Sequence, residues 1–259
     1  MSTYTEKFNK AESLYNNGSY SEALSLFEQL WKEASDGDAA LMFANCLRCL
    51  GRDDEAIRVY DYIIEFDPTW ESPLYNLAGI YYKRKEYEKA KELYLKAAEA
   101  DSTYADAWFK LGECCRMLDA DNIEQAMPYY KKCIAITENN TYADEACFFL
   151  GIAYLKLEET DSAYECLCKA NELTPDDADT LHFLGLCCGR QNKLTEAIEY
   201  YKKALSAEER SDTHLNLALC YNDIGDKNSA IHHAKAALEL DPDDADALFF
   251  YRQFLGVSG

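Results

Sequence analysis

Apolar residues return every three or four positions along most of the chain, in stretches broken by short polar or glycine-containing turns. Ala90, Leu93, Tyr94 and Ala97 are typical, since the spacing i, i+3, i+4, i+7 collects side chains on one face of a helix. A small residue recurs within this pattern at Ala23, Ala56, Ala90, Ala126, Ala163, Ala197 and Ala230, at intervals of 33, 34, 36, 37, 34 and 33 residues. A second small residue stands twelve places upstream of most of these, at Ala11, Ala44, Ala78, Gly151, Gly185 and Ala218. Gly112 stands fourteen places before Ala126, which locates a two-residue insertion in LDADNIEQA. A further insertion falls near Asn139.

Between the two marks lie turns such as NNGSY, KRKEY, RQNKL and DIGDK, so each unit is expected to be helix, turn, helix. Units close on DPTW, TPDDAD and DPDDAD, where proline stops one helix and aspartates cap and charge the start of the next. Small residues have a physical reason to sit in mid-helix: helix axes separated by about 8–10 Å leave no room for a long side chain where they cross. The pattern predicts an all-α protein of seven units, near residues 4–36, 37–70, 71–104, 105–143, 144–177, 178–210 and 211–244. A capping helix is expected over 245–256. No linker interrupts the series, so the reading is one continuous domain over 1–259.

In this register the chain resembles the tetratricopeptide repeat family. Trp108, Leu111, Gly112, Ala126 and Tyr130 follow that family's pattern, as do Leu74, Leu77, Ala78, Tyr81, Ala90, Tyr94 and Ala97. Leu181, Leu184, Gly185, Ala197, Tyr201 and Ala204 give a third copy. In the last full unit Ala234 replaces the aromatic residue. The resemblance implies a right-handed superhelical solenoid of antiparallel helix pairs, with first helices lining a concave groove.

Composition narrows the function. Forty-seven acidic against 26 basic residues give a formal charge of −21, which disfavours nucleic acid and anionic membranes as partners. The N-terminal segment lacks an apolar signal core, so a cytoplasmic location is expected. Eleven cysteines, an odd number, point to free thiols in a reducing compartment. The pairs Cys114–Cys115 and Cys187–Cys188 occupy one repeat position, where Tyr81, Ala153 and Ile80 stand in other units, which is the substitution pattern of packing. The CLRC stretch (46–49) has chelating spacing without a second half. His182, His214, His232 and His233 complete no catalytic signature. The chain is therefore read as non-enzymatic, with no cofactor or metal.

The resemblance aims the fifth position of each unit into the groove: Phe8, Leu41, Tyr75, Phe109, Phe148, His182, Leu215 and Phe249. Phe149 and Phe183 follow directly behind two of these. The rings are either a surface for partner side chains or packing between successive units. A basic and amide strip on the first helices of units two to four, Asn45, Arg48, Asn76, Lys83, Arg84, Lys110 and Arg116, would suit an acidic peptide or a terminal carboxylate. Co-chaperones of the family hold such tails with a carboxylate clamp, and Asn45, Asn76 and Lys110 match three of its places, while Leu41 and Asp106 depart from it. Asn9, Asn76 and Asn216 resemble an interrupted peptide-gripping ladder. The expected function is a scaffold that binds a protein or peptide partner through Asn45, Arg48, Tyr75, Asn76, Phe109, Lys110, Arg116, Phe148, Phe149 and Phe183. It would be monomeric or weakly self-associating. The alternatives are an assembly subunit that packs through its repeat surfaces and a co-chaperone-like module for an acidic C-terminal tail.

Overall fold

The structure, a computed structural model, describes residues 3–119, 122–136 and 141–256. Among the described residues there are fifteen α-helices, one 3₁₀ turn and no strand. They form two compact units, Met1–Ile136 and Thr137–Gly259. In unit 1, α1 (Tyr4–Asn16) pairs with α2 (Tyr20–Ala34), and α3 (Gly37–Cys49) with α4 (Asp53–Phe66). There α5 (Glu71–Lys83) also pairs with α6 (Tyr87–Ala100), and α7 (Ala105–Leu118) with α8 (Met127–Ala135). In unit 2, α9 (Ala143–Lys156) pairs with α10 (Thr160–Leu173), and α11 (Ala178–Arg190) with α12 (Leu194–Ala207). The pair of α13 (Ser211–Asp223) and α14 (Lys227–Leu240) follows, and α15 (Ala245–Leu255) ends the described chain. Seven helix pairs and a terminal helix are the elements that the hydrophobic spacing predicts.

Turn chemistry explains where the helices break. Six of the seven intra-pair turns carry one residue in the left-handed region: Gly18, Gly51, Lys85, Glu158, Asn192 or Gly225. The fourth pair differs. A 3₁₀ turn over Ile123–Gln125 absorbs part of the inserted length, and α8 starts only at Met127, with Pro128 in its first turn. Proline is tolerated there because the N–H it lacks would have no helical acceptor. The second insertion, near Asn139, lies outside the described residues.

The regular spacing of small residues has a specific steric use. Ala11, Ala44, Ala78 and Ala218 are fully buried. A Cβ added to Gly112 would lie 2.5 Å from the Tyr130 ring, and one on Gly185 would lie 2.7 Å from Tyr201. At Gly151 the obstructing group is Leu167, also at 2.7 Å. The absent side chain therefore makes room for a bulky residue of the second helix, and this ring or isobutyl group fills the space between the paired axes. In the last pair both partners shrink: Ala218 and Ala234 are both buried.

Candidate functional site

The first helices α3, α5 and α7 of unit 1 carry most of the polar candidates. Tyr60 donates its hydroxyl to Asn45 Oδ1 at 2.6 Å, and Asn76 Nδ2 donates to the same oxygen at 3.1 Å. The guanidinium of Arg48 lies beside the Tyr60 hydroxyl. The arrangement recurs two repeats on, with different residues. Glu113, 7 % exposed, accepts from the Tyr130 hydroxyl at 2.9 Å. It also receives two bonds from Arg116, Nε at 3.0 Å and Nη2 at 2.8 Å. Asn45/Arg48 and Glu113/Arg116 hold the same two places relative to Ala44 and Gly112, and Asn45 and Glu113 each accept the hydroxyl that the second helix pushes through. The carboxylate next to Arg116 also drives its already high pKa upward.

Most of the expected basic strip is thus engaged within the protein. Lys83 pairs with Asp53 at 3.3 Å and Arg84 with Asp54 at 2.7 Å. The Lys110 ammonium stands 5.2 Å from the Phe109 ring and 5.8 Å from Tyr82, which is cation–π range. Tyr75 is half-buried between Tyr94 and Tyr104, with centroids at 5.3 and 4.9 Å. Phe109 lies in the core. It is 1 % exposed and packs on Tyr130, so of the two roles open to this ring it has the packing one.

Unit 2 presents a different face. The place filled by Asn45, Gly79 and Glu113 is taken by Ile152, Leu186 and Leu219, all half-buried. Phe148, Phe149 and Phe183 are half-buried as well and touch in series, Phe149 to Phe148 at 5.4 Å and Phe148 to Phe183 at 5.8 Å. His182, one residue earlier, turns inward: it is 5 % exposed and its Nδ1 is 2.7 Å from the Thr213 hydroxyl. The result is an unbroken aromatic and aliphatic strip on α9 and α11.

The cysteine pairs are core. Cys114, Cys187 and Cys188 are fully buried and Cys115 is 3 % exposed. Burial pushes the Cys46, Cys114 and Cys187 thiols up to about 12, so they stay protonated at neutral pH and are poor nucleophiles and ligands. In the CLRC stretch Cys46 is buried while Cys49 is exposed near the Tyr15 hydroxyl. His214 bridges Glu209 at 2.7 Å and His233 at 3.0 Å, a polar contact between α13 and α14.

Two features lie beyond what the sequence pattern predicts. One is the tyrosine clamp, although the shared places of Asn45 with Glu113 and Arg48 with Arg116 in the repeat register are a signal for it. The other is a patch on α2 and α4, where Trp31, Ile63 and Trp70 border a notch of about 240 Å³. Beside it Tyr62 is 53 % and Phe66 87 % exposed. Among the described residues no helix is long and apolar enough to cross a membrane.

Serial helix pairs with side-chain-rich first helices define a helical-repeat protein of the scaffold class. Tetratricopeptide repeat models match residues 14–79, 105–140, 144–177 and 176–243, and a TPR repeat model matches 79–114. The chain belongs to the tetratricopeptide repeat family, whose members mediate protein–protein interactions and complex assembly. It is 26 % identical over 192 residues to a TPR repeat-containing protein of Methanocaldococcus jannaschii, covering 71 % of this chain and 32 % of that one. It is 24 % identical over 212 residues to anaphase-promoting complex subunit 3 of Schizosaccharomyces pombe, covering 77 % and 30 %. The chain thus spans about a third of the length of these relatives. The crystal structure of YrrB, described as a TPR protein with an unusual peptide-binding site, superposes with a TM-score of 0.65 at 24 % identity, over 73 % of this chain and 96 % of that one. That likeness concerns the fold.

Proposed function

We propose that the protein is a non-catalytic scaffold that binds a peptide segment of a protein partner, and that the binding surface is the first-helix face of unit 2. The observation that carries this reading is the contiguous, half-buried series Phe149, Phe148 and Phe183, continued by Ile152 and Leu186. Rings held in place by their neighbours lose little rotamer freedom on binding, and fully covering them supplies most of the affinity of such contacts. The polar face of unit 1 suits this role less well, because much of its charge is already paired within the fold, Lys83 with Asp53, Arg84 with Asp54 and Arg116 with Glu113. For the same reason a carboxylate clamp built on Asn45, Asn76 and Lys110 is a weaker reading.

The test is a selection of random 12-residue peptides on the full chain, followed by anisotropy titration of the recovered peptides. Phe148→Ala/Phe183→Ala should weaken them tenfold or more while far-UV circular dichroism stays unchanged. Undiminished binding to the folded double variant would rule the surface out.

The patch around Phe66 favours a second reading, that of an assembly subunit. If it is a docking surface between copies, Phe66→Ser should abolish concentration-dependent association in sedimentation velocity. A wild-type chain that stays monomeric up to high micromolar concentration excludes self-assembly through it.

A further inference from the structure

We infer that the partner segment of unit 2 is basic as well as apolar, with a lysine or arginine side chain entering a notch between α9, α10 and α11. This rests on the reading of the unit 2 face given above and adds the chemistry of what binds there. The notch measures about 170 Å³. One wall is the pair Phe148 and Phe149, which also begins the apolar strip, and the rim carries Asp144, Glu145, Asp177 and Asp179. Aromatic wall and acidic rim are therefore parts of one depression, continuous with the strip.

How the carboxylates are held decides what they can do. Asp144 accepts from the Thr174 hydroxyl at 2.5 Å. Asp177 caps α11, accepting from the Thr180 backbone N–H at 2.8 Å and its hydroxyl at 2.7 Å. These donors are neutral, so they orient the two carboxylates without cancelling their charge. Asp179 is different, since Arg210 pairs with it and with Asp212. Asp144 and Asp177 therefore keep their charge in the notch.

A long cationic side chain answers both parts of this geometry. Its methylene stem can lie on the Phe148 and Phe149 rings while the charged head reaches the carboxylates, and the ring faces add a cation–π attraction. The wider field selects in the same direction. Residues 137–259 hold 23 acidic and 10 basic side chains, a net charge of −13. That field speeds the approach of a cationic segment and opposes an acidic tail. It equally opposes a second copy of this chain, whose own charge is −21.

The recovered peptides provide the test. They should carry a lysine or arginine beside apolar residues, and changing that residue to glutamine should cost about tenfold in affinity. Asp144→Asn/Asp177→Asn should cost wild-type peptides about the same and the glutamine peptides nothing further. Asparagine keeps an acceptor oxygen at each position and is a good N-cap, so the fold should be preserved. The substitution in the peptide gives the same answer with no protein variant at all. Peptides that lack a cation, or that respond to the ring substitutions and not to the asparagines, overturn the charge assignment and leave the apolar surface standing. Peptides indifferent to both sets, or a selection that recovers none, overturn both.

Discussion

Phe109 and Phe148 hold the same place in successive repeats, three residues before Gly112 and Gly151, and they have opposite fates. In unit 1 the ring is 1 % exposed and packs on Tyr130, while in unit 2 it is half-buried and joins a strip of exposed edges. The next contrast lies just past the small residue, where Asn45 and Glu113 accept tyrosine hydroxyls but Ile152 follows Gly151, over which Leu167 packs. The difference follows from the second helices. Tyr60 and Tyr130 push a polar hydroxyl through to the first-helix face, where it needs a partner. Leu167, over Gly151, brings no polar atom, so an aliphatic neighbour is stable there. One repeat geometry thus yields a tyrosine hydroxyl held by a polar residue beside Ala44 and Gly112 and an aliphatic contact beside Gly151.

Three substitutions sharpen this contrast. The largest effect is expected from Phe109→Ala. Removing a fully buried phenyl group should destabilise by about 3–5 kcal/mol, and urea unfolding should show it. A loss below about 1 kcal/mol would mean the ring is not core. Glu113→Leu, which imports the unit 2 residue type, comes next. It strips the Tyr130 hydroxyl and Arg116 of their shared acceptor inside the fold, at a cost of roughly 2–3 kcal/mol. Adding Tyr130→Phe should restore part of that loss, because the hydroxyl that lost Glu113 as its acceptor is gone. If Glu113→Leu instead raises Tm, the clamp is not a stabilising device. The smallest effect belongs to Phe148→Ala, at about 1 kcal/mol, since a half-buried ring surrenders only part of its contact on folding. A loss as large as that of Phe109→Ala would place Phe148 in the core and remove the contrast.

Much of the fold is legible in the sequence. The helix pairs, their register, the turn positions and the capping helix depend on spacing within about 35 residues, and local spacing is what a sequence displays. The thiols are legible too, since Cys114 and Cys187 stand where aliphatic residues substitute for them. The site is legible only in part. Phe148, Phe149 and Phe183 are where the repeat frame puts them, but Phe109 and His182 share that frame and turn inward. Whether a given ring is covered depends on the size of a residue some twenty positions away on the second helix, and on the neighbouring pair beyond it.

Charge shows the same division. The sequence by itself determined that the chain is acidic, and it placed Arg48, Lys83, Arg84 and Arg116 on one run of first helices. Tertiary structure alone decided that Lys83, Arg84 and Arg116 are occupied, by Asp53, Asp54 and Glu113 in turn. It also decided that Asp144 and Asp177, far apart in the chain, meet at one notch beside two rings. Periodicity fixes which face a side chain is on, because that is a property of one helix. What the side chain finds there belongs to its neighbours, and only packing brings them together.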